Sequence, residues 1–83
     1  MSFVAIVEEE GEEPIEIPSE PDNTLLLSSV AAQFPNVTGL KYRNQDTNAF
    51  RGLRIADGKI YPPEEGWEDK LFIAVAPKGL YPM

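Results

Sequence analysis

An α+β roll, with one helix laid across a face of a mixed sheet, is the fold this 83-residue sequence predicts. Three observations carry that expectation. Two short strand-like runs precede the one segment with helical periodicity, and further strand-like runs follow it. The last of these, Leu71-Phe72-Ile73-Ala74-Val75, is almost continuously apolar, as a strand in the middle of a sheet tends to be. One amphipathic helix can cover one sheet face, so two-layer packing follows.

The elements can be justified in order. Phe3-Val4-Ala5-Ile6-Val7 is a compact run with β-branched residues and suits a buried first strand. Glu10-Gly11-Glu12 supplies a turn. In Pro14-Ile15-Glu16-Ile17-Pro18 isoleucines alternate with a glutamate, the period of a half-buried strand. Its flanking prolines cannot donate ladder hydrogen bonds, so this strand is expected at a sheet edge with Glu16 outward.

Asp22-Asn23-Thr24 offers N-cap residues for a helix running to about Gln33. Leu27, Val30, Ala31 and Phe34 fall on one helical face, and Pro35 stops the helix. Leu25 and Leu26 lie off that stripe, which predicts exposure of at least one of them. Leu40-Lys41-Tyr42-Arg43 and Arg51-Gly52-Leu53-Arg54-Ile55 each read as a strand with one wet face. Asp57-Gly58 then turns the chain back into Lys59-Ile60-Tyr61 as a two-residue hairpin. Pro62-Pro63-Glu64-Glu65-Gly66 is an irregular connection, with Trp67 expected to pack beneath it. Pro77-Lys78-Gly79 ends the final strand, giving one domain over 1–78 and a tail over 79–83. Hairpin, helix and returning sheet make the layout of a ubiquitin-like β-grasp roll, with first and last strands as neighbours.

Composition narrows the chemistry. There is no cysteine, so disulfides, thiolate metal sites and cysteine nucleophiles are excluded. There is no histidine, the usual general base near neutral pH and the commonest metal ligand. No carboxylate pair, glycine-rich phosphate loop or metal-ligand cluster stands out, and neither a cofactor nor catalysis is expected. The net charge of −7 argues against a module that grips a nucleic-acid backbone. Apolar runs are too short for a membrane helix, which needs roughly 20 residues, and residues 1–7 lack the pattern of a signal peptide. A soluble, intracellular, non-catalytic domain is the expectation, with no membrane partner.

The charges are sorted along the chain. Residues 8–22 hold eight acids and no base: Glu8, Glu9, Glu10, Glu12, Glu13, Glu16, Glu20 and Asp22. Residues 41–59 hold five bases, Lys41, Arg43, Arg51, Arg54 and Lys59, beside only Asp46 and Asp57. Two oppositely charged patches let one copy bind the next through different surfaces, a contact that need not close. Glu8 to Glu12 are expected to be solvated, as charge runs usually are. Arg51 and Arg54, read as lying on one side of a single strand, would form a two-point clamp for carboxylates.

Several blocks carry a closer likeness. Glu13-Pro14-Ile15-Glu16-Ile17-Pro18-Ser19-Glu20, Ala32-Gln33-Phe34-Pro35, Gly39-Leu40-Lys41-Tyr42-Arg43-Asn44, Arg51-Gly52-Leu53-Arg54 and Gly66-Trp67 occur in that order. In wording and spacing they resemble the N-terminal domain of the TAR DNA-binding protein (TDP) family, over nearly the whole chain. The resemblance implies a ubiquitin-like, DIX-like fold and head-to-tail self-association in support of a nuclear RNA-binding and splicing regulator. Nucleic acid would be bound by other domains of the full-length protein, absent from this sequence. It implies an acidic surface at Glu13, Glu16 and Glu20 and a basic and polar one at Gln33, Arg51 and Arg54. It also implicates Leu27 and Val30, although their spacing with Phe34 favours core burial over partner contact. The family's cysteines are matched by Thr38 and Ala49. A phosphorylatable serine is matched by Thr47, followed by Asn48 where the family has Gln.

Two other readings stand beside self-assembly. One is a monomeric ubiquitin-like adaptor or modifier, although the sequence ends Gly79-Leu80-Tyr81-Pro82-Met83 rather than in a diglycine. The other is weak single-stranded nucleic-acid binding, with Tyr42 stacking on a base between Lys41 and Arg43.

Overall fold

The structure, a computed structural model, describes residues 2–77. It is an α+β domain in which a mixed five-stranded sheet is overlaid by one short helix. The strands are β1 (Phe3–Val7), β2 (Ile15–Pro18), β3 (Leu25–Leu26), β4 (Gly39–Arg43), β5 (Phe50–Gly52), β6 (Ile55–Ala56), β7 (Lys59–Ile60) and β8 (Leu71–Val75). The helix α1 is Leu27–Gln33. The main sheet runs β2-β1-β8-β4-β5, and β3-β7-β6 form a second, three-stranded sheet. The last strand is central, parallel to β1 and antiparallel to β4. First and last strands are therefore neighbours, in keeping with a ubiquitin-like β-grasp.

Register explains the core. Val4 pairs with Ile17, Ile6 with Phe72, and Phe72 with Tyr42, so all of these share one face. Val30, Phe34 and the partly buried Leu27 and Ala31 pack against that face, as the helical stripe predicts. Phe72 sits edge-on to Tyr42 and Trp67, at centroid distances of 5.5 and 5.3 Å. Trp67 is buried and donates its indole N–H to the Asn23 carbonyl at 2.8 Å, so it packs below the connection and also ties down a turn.

The helix starts later than its cap signals predict. Asp22 accepts hydrogen bonds from the backbone N–H and the hydroxyl of Thr24, at 3.1 and 2.6 Å, and this closes a turn instead of capping α1. Such side-chain bonding to nearby backbone competes with helix initiation. Leu25 and Leu26 then pair with β7, and Leu25 is fully buried. Helical periodicity could not show this, because the second sheet that buries Leu25 is assembled from residues 55–60. The first turn of α1 has no side-chain cap; the Leu27 N–H is taken by the Gly58 carbonyl at 2.9 Å.

Gly58, at φ +75, and Asp57, at φ +53, form the two-residue turn between β6 and β7, with Ala56 opposite Lys59. The strand expected over Arg51–Ile55 is broken. β5 ends at Gly52 in the main sheet and β6 starts at Ile55 in the second one. Leu53 turns the chain between them, donating its N–H to the Leu40 carbonyl at 3.0 Å. Lys78 and Gly79, expected to end the last strand, and the tail over 79–83 lie outside the described residues.

Candidate assembly interface

β2 is an edge strand, as its prolines require, and it carries the acidic residues. Glu16 sits opposite Ala5 and is exposed. Alternation along β1 puts Ala5 and Glu16 on the sheet face away from the helix. Glu13 is exposed in the loop before β2, and Glu20 follows β2 half-buried. Glu20 opens a tight turn: its N–H donates to the Thr24 carbonyl at 2.7 Å, and its carbonyl accepts from Asn23 N–H at 2.8 Å. The buried Ser19 hydroxyl accepts the Ser2 N–H at 2.9 Å and holds the end of β2 against β1.

Of the basic and polar residues, Arg51 lies at the opposite edge of the sheet. Arg51 is on β5, exposed, directly across from Tyr42 and therefore on the helix-bearing face. Gln33 is the exposed last residue of α1, on the same side of the sheet. Arg54 falls in the break after β5, with its guanidinium 5.0 Å from the Tyr61 ring centroid. Strand alternation does not place Arg51 and Arg54 on one side: residues three apart fall on opposite faces of a strand, and no single strand contains both. Four inter-strand steps separate β2 from β5, about 19 Å. Glu16 and Arg51 thus occupy opposite edges and opposite faces, too far apart to neutralise one another within a molecule.

Two of the other bases are paired within the molecule. Lys59 Nζ lies 2.9 Å from Asp22 Oδ2, and Arg43 Nη2 lies 3.5 Å from Glu10 Oε1. Lys41 and Arg43 flank the exposed Phe50 ring, 4.4 and 4.2 Å from its centroid. Among the described residues, Arg51 and Arg54 have no acidic partner. Composition could not distinguish these arginines from Arg43 and Lys59, which the distances show to be paired. Lys41 likewise has no acidic partner among the described residues and rests on the Phe50 ring. The Phe50 clamp was missed in the sequence, although Phe50 faces Arg43 across adjacent strands.

Hydrogen bonding perturbs three exposed groups. The Thr24 hydroxyl, followed by Lys59, holds the Asp22 carboxyl well below the usual carboxylate range. Asp22 in turn raises Lys59. A 2.7 Å bond from the Ser2 hydroxyl lowers Glu68.

Tyr42 does not fit the stacking role. It is buried edge-on against Phe72, so it presents no free face to a base between Lys41 and Arg43. Val30 is fully buried and Leu27 half-buried against the core. Thr47 is exposed in the loop before β5, where its N–H and hydroxyl donate to Asn44 Oδ1 at 2.9 and 3.2 Å. Among the described residues no cluster of His, Cys, Asp and Glu could hold a metal ion, and no helix is long and apolar enough to cross a membrane.

Residues 3–76 match the family described as TAR DNA-binding protein 43, N-terminal domain. The chain belongs to this family. It is also 39% identical over 79 residues to Tar DNA-binding protein homolog 1 of Caenorhabditis elegans, a match covering 92% of this chain. The matched region is 19% of that relative's length, so the chain corresponds to a small part of a much longer protein there.

Proposed function

We propose that this domain is a non-catalytic connector that assembles reversibly, head to tail, with copies of itself. Glu13, Glu16 and Glu20 of one copy meet Gln33, Arg51 and Arg54 of the next. The observation that carries this reading is the placement of Glu16 and Arg51 at opposite edges and opposite faces of one sheet. Such an arrangement leaves each copy with one unused surface of each kind, so growth continues. An exposed ion pair contributes only about 0–1 kcal/mol, so the polymer is weak and concentration-dependent. Salt weakens it further, because the screening length shortens from about 10 Å at 0.1 M to about 3 Å at 1 M.

The connector serves a nuclear RNA-binding and splicing regulator that reaches nucleic acid through its other domains. Thr47 is a candidate phosphosite four residues before Arg51. A phosphate there adds about −2 charges beside the basic surface and repels the incoming acidic one.

Sedimentation velocity across protein and salt concentration tests the assembly. Growth at low salt and its loss at high salt are expected; a strict monomer at high concentration and low salt overturns the reading. Glu16→Arg and Arg51→Glu should each stop growth, yet their mixture should form a heterodimer through the two intact surfaces. Folded variants that stay monomeric when mixed exclude the head-to-tail geometry.

A further inference from the structure

We infer that Asp22, Lys59 and Trp67 are positioning residues for Glu20, holding the 20–24 turn in the pose the acidic surface needs. The inference rests on the assembly proposed above and adds residues from outside both charged surfaces.

Glu20 differs from Glu16 in what holds it. A ladder with β1 fixes Glu16, whereas Glu20 lies beyond the end of β2 in a turn with Asn23 at φ +70. Two backbone bonds close that turn, from Glu20 N–H to the Thr24 carbonyl and from Asn23 N–H to the Glu20 carbonyl. Those bonds shape the turn but do not attach it to the domain. The ends of the turn are anchored by Ser19, bonded to Ser2, and by the buried Leu25 on β3. Between them the turn is held by two distant side chains. Trp67, buried against Phe72, donates to the Asn23 carbonyl at 2.8 Å. Lys59, on β7, grips Asp22 Oδ2 at 2.9 Å, while Asp22 Oδ1 is occupied by Thr24.

The same β6–β7 hairpin accepts the Leu27 N–H at Gly58, so it braces both ends of the segment between Glu20 and the helix. Lys59 therefore has a job separate from Arg51 and Arg54, despite belonging to the same basic stretch of sequence.

The sign of one substitution separates positioning from simple electrostatics. Removing the Lys59 charge makes the neighbourhood of Glu20 more negative, which by charge alone tightens binding to an arginine surface. Loss of positioning weakens it instead. The test uses the heterodimer in which Arg51→Glu supplies the acidic surface and Glu16→Arg the basic one, read by isothermal titration calorimetry. Lys59→Gln added to the acidic-surface donor should weaken pairing about 2- to 5-fold, the range of an exposed ion pair. Lys59→Arg in that donor should restore it, and Lys59→Gln in the basic-surface donor should leave pairing unchanged.

Tightening, no change, or equal weakening from both donors overturns the inference. Amide exchange on the monomeric Arg51→Glu chain gives an arm that needs no assembly. Lys59→Gln should speed exchange at Glu20 and Asn23 while leaving β1 protected, and unchanged exchange there also overturns it. Absence of pairing in the parent mixture removes the assembly reading itself, and with it the role of this clip in assembly.

Discussion

The acidic and basic edges of the sheet are built in different ways. The acidic edge is local: β2 is one uninterrupted strand, and Glu13, Glu16 and Glu20 lie within eight consecutive residues along and around it. The proposed basic surface is composite. Gln33 comes from the end of α1, Arg51 from β5, and Arg54 from the break where the chain leaves one sheet for the other. A continuous segment can display Glu13 and Glu16 with little help from the rest of the fold, and within the acidic surface only Glu20 leans on the distant Lys59 and Trp67. A surface gathered from three elements depends on the packing that brings them together. The basic surface should therefore be the more fragile of the two.

Truncating the shared core gives the largest effect and should erase the difference. Phe72 lies in the central strand and touches both Tyr42 and Trp67. Phe72→Ala should cost about 3–5 kcal/mol, most of what so small a domain has. Urea denaturation followed by circular dichroism measures it, and both edges should lose protection together.

A smaller change should expose the asymmetry. Gly58 has φ +75 in the hairpin turn and accepts the Leu27 N–H. Space for a Cβ is open there, so Gly58→Ala acts through backbone strain alone, about 1 kcal/mol. Amide exchange should rise across β6, β7 and the start of α1 but not in β2. Equal loosening at β2 would show that the acidic edge is no more autonomous than the basic one.

Acid gives the smallest and most local effect. The folded Asp22 carboxyl titrates below its ordinary value, so its contribution is present above that value and is lost as pH falls through the folded one. Lys59 is raised, so its contribution is present below the ordinary lysine value and is lost as pH rises through the raised one. The clip thus holds between about pH 4 and pH 10. Thermal melts of the wild-type chain and Asp22→Asn should converge as pH is lowered below about 4. A constant gap between them would show that ionisation of Asp22 is not what stabilises the turn.

Much of this was legible in the residues. Strand periodicity marked β1, β2, β4 and β8, the prolines placed β2 at an edge, and Asp57-Gly58 marked its hairpin, because each depends on neighbours in the chain. The failures share a cause. Asp22-Asn23-Thr24 has helix-cap chemistry but closes a turn, because Leu25 and Leu26 are drawn into a sheet with residues 55–60. Arg51 to Ile55 has strand periodicity, yet the segment divides between two sheets at Leu53. Tyr42 looked available between two bases, but register turned it into the core against Phe72.

By itself, the sequence determined the family, the α+β order of elements and the separation of acidic from basic residues along the chain. Each is a property of consecutive residues, written in composition, periodicity and wording. Only the tertiary structure decided which charges remain without partners. It committed Lys59 to Asp22 and Arg43 to Glu10, and it left Arg51 facing away from Glu16 across the width of the sheet. The reason is physical: ion pairing falls off over a few ångströms, and contacts between residues 33 to 37 positions apart exist only once the chain has folded.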